Sequence, residues 1–190
     1  MDPSRVERIP PGQVVVTDFP VLHAGSAPRI DRASWRLTVS GLVSPGLTLT
    51  WDGLLALPAT EQVCDIHCVT GWTKLDTRWK GVRVSRLFEG LDISPEARHA
   101  VALANGGWTT NLPLEELLSD DVLAAYEYDG RPLSAEHGGP VRLLVPRLYF
   151  WKSAKWLEGI QLSSDRRLGY WEVRGYHPLG DPWLEQRYSS

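Results

Sequence analysis

Residues 136–146 read EHGGPVRLLVP, in which a loop of glycine and proline runs directly into an apolar segment. A short apolar run bounded by turn residues is typical of a buried strand. We therefore predict a strand from Val141 to Val145 that is ended by Pro146. His137 and Arg142 then lie on either side of the junction between the loop and the strand.

Positive charge and aromatic rings follow this predicted strand. Lys155, in the sequence KSAKW, comes thirteen residues after Arg142. A single lysine or arginine is usually a solvated surface residue. Here the cations stand beside Phe150, Trp151 and Trp156. His, Arg, Lys and Ser side chains together with glycine amides are the groups that a phosphate and a polar heterocycle require.

The rest of the chain predicts many short strands and few, short helices. Alternating or continuous apolar residues predict strands over 35–41, 47–50, 62–69, 100–103, 122–128 and 156–162. Capping and proline signals predict helices over 51–57, 86–91 and 112–118. This mixture is typical of the α+β class with more than one sheet. We expect one domain over 1–190, with an extended arm over 1–30 and a wrapping tail over 163–190.

Composition argues against several classes of protein. The formal net charge of -3 argues against a nucleic-acid binder. The sequence has no apolar run long enough for a signal peptide or a membrane-spanning helix. We therefore expect a cytoplasmic protein with no nucleic-acid partner and no membrane segment. The nine tryptophans suit either ordinary core anchoring or the walls of a cleft for a large flat ligand.

The two cysteines, Cys64 and Cys68, stand in CDIHCVTGW at 64–72. A zinc site usually needs a second pair of ligands, which the sequence lacks. A disulfide between cysteines so closely spaced needs a helical or sharply turned segment. Two inert buried thiols are a further alternative. Cys68 is distinguished by the nearby Thr70 and Gly71, because the glycine lets the backbone bend around a ligand, and a soft thiolate suits molybdenum or another soft-binding metal.

Three stretches together resemble the sulfite oxidase superfamily. They are the Cys68 segment, the sequence VLAAYEYDGRPL at 122–133, and the segment 137–156 with its His-x4-Arg and Ser-x-Lys-Trp motifs. The resemblance is to the molybdopterin-binding domain, covers 35–162, and is greatest to small stand-alone bacterial oxidoreductases. It implies a sulfite oxidase-type fold of mixed β-sheets with short helices, and a molybdenum–molybdopterin cofactor. A tungsten form would satisfy the same soft-ligand argument.

The resemblance also implies roles for individual residues. Cys68 would be the catalytic thiolate that ligates the metal. Residues that would bind the pterin and its phosphate are Thr110, Asn111, His137, Arg142, Lys152, Ser153 and Lys155. Of these, Thr110 and Asn111 would lie on a loop that faces the cofactor.

The sequence departs from the sulfite-oxidising members around the substrate. Those members carry Arg-Asn-His ahead of the first Pro-Val and arginines just after the metal cysteine. Here VTDFPV stands at 16–21 and VTGW at 69–72, so we do not expect a pocket for anionic sulfite. His23 in the arm is a candidate for reaching the cofactor. His23 and His177 are also lone histidines, which are more often structural.

These observations predict an oxidoreductase that transfers an oxo group to or from a small substrate and exchanges electrons with an unidentified partner. The alternative is a cofactor-binding or carrier protein without turnover of its own, which the missing anion-pocket arginines support. A third hypothesis is a structural or interaction protein that has kept the fold but not the cofactor. The combination of Cys68, His137, Arg142 and Lys155 argues against that third hypothesis.

Overall fold

A computed structural model describes residues 7–189, which form β-sheets joined by loops and a few very short helices. The strands are β1 (Val14–Val15), β2 (Arg36–Gly41), β3 (Val43–Ser44), β4 (Leu47–Thr50), β5 (Ala59–His67), β6 (Trp72–Arg83), β7 (Asp92–Ile93), β8 (His99–Ala104), β9 (Trp108–Pro113), β10 (Leu123–Tyr128), β11 (Arg131–Pro132), β12 (Arg142–Leu144) and β13 (Leu157–Ser163). The α-helices are Trp51–Leu55 and Leu114–Leu117, and 3-10 helices cover Val84–Phe88, Ala135–His137, Phe150–Lys152 and Glu172–Arg174.

The first sheet is organised around the long strand β6. β5 and β6 form an antiparallel hairpin, β10 pairs with the second half of β6, and both β11 and β12 pair with β10. β1 adds in parallel to the beginning of β6, at Trp72 and Thr73. Residues 68–71 make the turn between β5 and β6, so Cys68 stands at one end of this sheet.

The second sheet has the strand order β4-β2-β13-β8-β9, and a small third sheet pairs β3 with β7. β2 and β13 run parallel, whereas the other neighbours in the second sheet are antiparallel. The main hydrophobic core contains residues from both larger sheets. Leu37 and Val39 come from the second sheet, and Val82, Ala124 and Leu143 come from the first. Their burial removes apolar surface from water and fixes the sheets against each other.

The predicted fold class is confirmed, with mixed sheets and few short helices. The strands predicted over 35–41, 47–50, 100–103, 122–128, 141–145 and 156–162 correspond to β2, β4, β8, β10, β12 and β13, with small differences at their boundaries. The strand predicted over 62–69 corresponds to β5, which begins earlier, at Ala59. It ends at His67 because the chain turns at Cys68.

The longest strand, β6, is not predicted by the sequence pattern. Its alternating buried positions include Thr73, Thr77 and Trp79, while the charged residues Asp76 and Arg78 are exposed. The period of two is present, but two of the buried side chains are threonines. Apolar alternation therefore does not indicate this strand, because its buried face is partly polar.

Two of the predicted helices are wrong in extent. The helix predicted from Leu112 begins only at Leu114, because β9 continues to Pro113, which pairs with His99 of β8. The predicted loop around Thr110 and Asn111 is likewise part of β9. The helix predicted over 86–91 is a 3-10 helix, Val84–Phe88.

The arm and the tail contain little regular structure. In the arm, residues 7–30 include the short strand β1. In the tail, the 3-10 helix Glu172–Arg174 is followed by a β-bridge between Tyr176 and Tyr188. Residues 1–6 of the predicted arm and Ser190 of the predicted tail lie outside the described residues. Within residues 7–189, the helices are all too short or too polar to cross a membrane.

The helix Trp51–Leu55 provides a paired test of the core. Leu54 is 0% exposed and belongs to the main core, whereas its neighbour Leu55 is 43% exposed. We expect Leu54→Ala to lower the free energy of unfolding by roughly 2–5 kcal/mol, because a cavity replaces buried methyl groups. Leu55→Ala is the matched control and should cost less than about 1 kcal/mol. Urea unfolding measures both, and equal losses would contradict the assigned faces of this helix.

Candidate active site

A cleft of about 360 Å³ opens beside the Cys68 turn. Its walls come from the arm, the turn between β5 and β6, β9, the segment before β13 and the tail. Much of the wall is aromatic, with Phe19, Trp72, Trp108, Phe150, Trp151, Trp156, Trp171 and Tyr176. Polar groups enter this wall at His23, Cys68, Thr70, Thr110, Arg142, Ser153 and Lys155.

Cys68 stands on a tight, hydrogen-bonded turn. Its amide donates to the Trp72 carbonyl at 2.8 Å, and its carbonyl accepts from the Gly71 amide at 3.0 Å. Gly71 has φ of +100°, a conformation that side chains disfavour, so glycine is suited to this position. The Thr70 hydroxyl donates to the Cys68 sulfur at 3.2 Å. The turn therefore fixes the sulfur in the wall of the cleft.

The environment of the Cys68 thiol acts on its ionisation in two directions. The side chain is 8% exposed, and this burial raises the pKa of the thiol. The hydrogen bond from Thr70 and the positive charge of Arg187 act in the opposite direction, because both stabilise a thiolate. A positively charged metal at the sulfur would act in the same direction.

Arg142, at the start of β12, is buried and is one of the residues that line the cleft. It donates to the carbonyl of His137 at 2.8 Å and to that of Ser153 at 2.7 Å, and its charge lies 4.1 Å from the centre of the Phe150 ring. Among the described residues, no carboxylate lies within ion-pair distance of it. Burial lowers the pKa of Arg142 to about 9, which shows how strongly its positive charge is desolvated.

Lys155 adds a second cation to the same wall. Its ammonium donates to the carbonyl of Leu22 at 3.0 Å and to that of Glu136 at 2.5 Å. Burial, followed by repulsion from Arg142, lowers the pKa of Lys155 to about 7. An anionic group bound between them would stabilise the charge of Lys155, which burial and Arg142 both disfavour.

His137 lies behind the arm rather than directly in the cleft wall. Its ring stacks on Phe19, with centroids 3.9 Å apart and an angle of 11°. Its Nδ1 atom has no hydrogen-bond partner within the described chain. Ser153 lines the cleft, and its hydroxyl accepts from the Val145 amide at 2.9 Å.

The structure does not bring the side chains of Asn111 and Lys152 to the cleft wall. Lys152 is fully buried, and its ammonium donates to Glu172 Oε1 at 2.5 Å, the Asn111 carbonyl at 2.8 Å and the Pro178 carbonyl at 2.6 Å. These partners use its three protons. Thr110 does line the cleft, and its hydroxyl donates to the same Glu172 oxygen at 2.8 Å. This network attaches the tail to β9.

Residues 24–171 match the family of the oxidoreductase molybdopterin-binding domain. The chain belongs to this family. The predicted resemblance to the sulfite oxidase superfamily is thereby confirmed, as is the prediction of a molybdopterin-dependent oxidoreductase of the sulfite oxidase-like type.

Similar proteins cover different shares of the chain. An uncharacterised oxidoreductase of Bacillus subtilis, YuiH, is 48% identical over 183 residues, which are 96% of this chain and 92% of that protein. A putative protein-methionine-sulfoxide reductase subunit of Azospira oryzae, YedZ1, is 30% identical over 94% of this chain and 69% of its own. Rat mitochondrial sulfite oxidase is 27% identical over 78% of this chain, and the match spans 33% of that enzyme.

Among solved structures, the sulfane dehydrogenase SoxCD from Paracoccus pantotrophus has the same kind of fold. The TM-score is 0.66 at 25% sequence identity, over 73% of this chain and 40% of that chain. The chain described here therefore shares its fold with part of a longer chain, of which it spans less than half.

The residues of the cleft fit a molybdopterin. His23 Nδ1, Trp72 Nε1 and Trp151 Nε1 belong to wall residues and have no hydrogen-bond partner within the described chain, although they are buried. A buried polar atom without a partner costs about 1–3 kcal/mol and often indicates an absent ligand or water. A polar heterocycle supplies such partners, a phosphate suits the charges of Arg142 and Lys155, and the Cys68 sulfur is a soft metal ligand.

Several residues that line the cleft of this family member are not predicted by the sequence. Phe19, Trp171 and Tyr176 come from the predicted arm and tail, and the only signal for them was the abundance of aromatic residues. His23, a candidate for reaching the cofactor, is one of the residues that line the cleft. His177 has a structural role, because its Nδ1 accepts from the amides at 179 and 180, each at 3.1 Å.

His137 gives the stability of the protein a pH dependence. Burial, with further effects of Arg142 and Lys155, lowers the pKa of His137 from 6.5 to about 4. Between these two values the unfolded chain binds more protons than the folded chain, so the stability contributed above pH 6.5 is lost as the pH falls towards 4. The variant His137→Phe keeps a ring against Phe19 but cannot be protonated.

We expect the free energy of unfolding of wild-type protein to fall more between about pH 7 and pH 5 than that of His137→Phe, by on the order of 1 kcal/mol after solvent screening. Urea unfolding of both proteins at both pH values measures this difference. Using each protein as its own reference removes the effect of the new ring on packing. Equal losses in the two proteins would show that this imidazole does not resist protonation.

Proposed function

We propose that the protein binds a molybdenum–molybdopterin cofactor in this cleft, with the Cys68 thiolate on the metal, and transfers an oxo group to or from a small substrate. The observation that carries the proposal is the position of the Cys68 sulfur. It is held on a hydrogen-bonded turn in the wall of the cleft that also contains Arg142 and Lys155. A tungsten form of the cofactor would use the same ligand.

Arg142 and Lys155 are proposed to bind the phosphate and polar edge of the pterin. Arg142 is already fixed by two carbonyls, so little freedom is lost when an anion approaches it. Ser153 and Thr110 contribute to the same wall, and His137 orients the loop before β12. Lys152 supports the site from inside, because it donates both to Asn111 of β9 and to Glu172 of the tail.

A bound molybdenum cofactor supplies the two-electron redox change that accompanies oxo transfer. The residues of the chain bind it, orient it and limit the access of water. Thr70 donates a hydrogen bond to the Cys68 sulfur, which lowers the electron density at that atom and so tunes the metal. The aromatic wall excludes water from the region around the sulfur.

An uncharged substrate fits the surroundings of Cys68 better than sulfite. The apolar residues packed around Cys68 are Val69, Trp72, Tyr149, Trp151 and Tyr176. The sequence VTGW at 69–72 has no arginine that could bind an anionic substrate directly after the cysteine, and the cations of the cleft, Arg142 and Lys155, are assigned here to the pterin and its phosphate. The YedZ1 relative is named as a methionine-sulfoxide reductase subunit, and a sulfoxide is an uncharged oxo donor of this kind. We therefore propose sulfoxides or N-oxides as substrates.

The role of Cys68 is tested by its replacement. In protein made in a molybdenum-replete host, we expect about one molybdenum and one pterin per chain in the wild type, because the ligands are preformed. Cys68→Ala should lose the metal and all turnover while remaining folded. Cys64→Ala is the matched control, since Cys64 bonds to Thr77 and is absent from the cleft wall. Elemental analysis and pterin fluorescence measure both components.

The outcomes separate the candidate functions. Metal retained in Cys68→Ala would remove this thiolate from the site. Full cofactor content without turnover on sulfoxides, N-oxides or sulfite, using a low-potential electron donor, would favour the carrier alternative over the enzyme.

Lys155 tests the proposed phosphate contact. We expect Lys155→Gln to fold and to lose cofactor on dilution about tenfold more readily than the wild type, because a charge-assisted hydrogen bond is removed. Lys80→Gln is the control, because Lys80 forms only long ion pairs with Glu61 at 3.8 Å and Glu127 at 3.9 Å on the surface. Pterin retained after gel filtration is the measurement, and equal retention in the two variants would argue against a phosphate at Lys155.

A further inference from the structure

The Cys68 turn is bound by residues that are distant in the sequence. Gln13 Nε2 donates to the Cys68 carbonyl at 3.1 Å, and the Val14 amide donates to the Gly71 carbonyl at 2.9 Å. Arg187 Nη1 donates to the Val69 carbonyl. The backbone oxygens of a turn at a sheet end are usually left to solvent. Here three of them are taken by the arm and the tail.

Arg187 is itself fixed from more than one side. Its guanidinium lies 5.2 Å from the centre of the Tyr149 ring, and its Nη2 donates to the Gly12 carbonyl at 3.3 Å. Its nearest ion pair, to Glu185, is long at 4.0 Å. Tyr149 is buried and packs against Cys68. The guanidinium therefore joins the arm, the turn and the buried ring beside the sulfur.

Gln13 is also held on both ends of its amide. Its Oε1 accepts from the Thr73 hydroxyl at 3.5 Å, while its Nε2 binds the Cys68 carbonyl. The Thr73 hydroxyl in turn shares a hydrogen bond with His67 Nδ1 at 2.9 Å. Gln13 thus connects the turn to both strands that flank it.

We propose that Gln13 and Arg187 are positioning residues for the Cys68 sulfur, holding the turn that presents it, with the Arg187 guanidinium adding positive charge beside it. The inference rests on the proposed role of Cys68 as the metal ligand. Both residues lie outside 24–171, the part of the chain that the family matches, so family membership does not assign them. A metal ligand that is held before the metal arrives binds it more tightly and with a fixed geometry.

Three substitutions separate charge from hydrogen bonding. Arg187→Gln removes the charge and the forked donor, and Arg187→Lys keeps the charge. Gln13→Met has a similar volume and removes both the Nε2 donor to the Cys68 carbonyl and the Oε1 acceptor for Thr73. Arg174→Gln is the matched control. Arg174 lies in the same tail, donates to the Tyr170 carbonyl at 2.8 Å and stacks 3.5 Å from that ring, away from the Cys68 turn.

The first readout uses the full chain without cofactor. Amide hydrogen exchange at Cys68 and Gly71 reports opening of the turn, because both amides are bonded within the hairpin. We expect exchange about tenfold faster in Arg187→Gln and Gln13→Met, an intermediate rate in Arg187→Lys, and the wild-type rate in Arg174→Gln.

The second readout uses the cofactor-loaded protein. We expect the visible absorption band of the thiolate–metal bond to shift in Arg187→Gln and to return towards the wild-type position in Arg187→Lys. Loss of metal to a chelator should be several-fold faster in Arg187→Gln and unchanged in Arg174→Gln. If Arg187→Gln does not fold, Gln13→Met and Arg187→Lys are compared with the wild type and Arg174→Gln in the same two measurements.

Wild-type exchange rates and an unshifted band in Arg187→Gln and Gln13→Met would overturn the proposal, even if these variants were less stable. Faster exchange together with metal retained in Cys68→Ala would have a different meaning. It would reject Cys68 as the ligand, and with it the proposed function, while supporting the anchoring of the turn.

Discussion

The burial of the Arg142 guanidinium among backbone carbonyls is the constraint on which the cleft depends. A buried cation without an anionic partner is costly, and Arg142 offsets part of that cost through the carbonyls of His137 and Ser153 and the face of Phe150. Those contacts hold the loop before β12 against the segment before β13. The charge itself remains uncompensated within residues 7–189, so the cleft has a positive potential that favours an anionic group.

Lys152 is a buried cation that, unlike Arg142, has a carboxylate partner. Its ammonium is paired with Glu172 and has no donor left for a ligand. Because Glu172 adjoins Trp171, the pair fixes an aromatic wall of the cleft rather than its charge. Burial lowers the pKa of Lys152 to about 8 despite the nearby carboxylate. Arg142 and Lys152 therefore contribute to the cleft in different ways. Arg142 contributes an unpaired positive charge, whereas Lys152 contributes the hydrogen bonds that hold the tail in place.

The sequence predicted the parts of the molecule whose signal is local. Strands with apolar alternation, the turn glycine after Cys68 and the segment 136–156 could all be recognised from neighbouring residues. The sequence does not show that Lys155 lines the cleft whereas Lys152 is buried away from it. This difference depends on a 3-10 helix that ends at Lys152. The contacts of Gln13 and Arg187 could not be recognised from neighbouring residues either, because their partners are brought together only by the completed fold.

The meeting of residues 11–14 with Arg187 around one turn makes the chain close on itself. The contact between Gly12 and Arg187 spans 175 positions, so it cannot form until all the residues between them have been synthesised. Loop closure over such a distance carries an entropic cost that is repaid only when the intervening sheets are in place. The order of the Cys68 turn thus depends on a residue made long after it, and a chain that lacks Arg187 would present its sulfur on a looser hairpin.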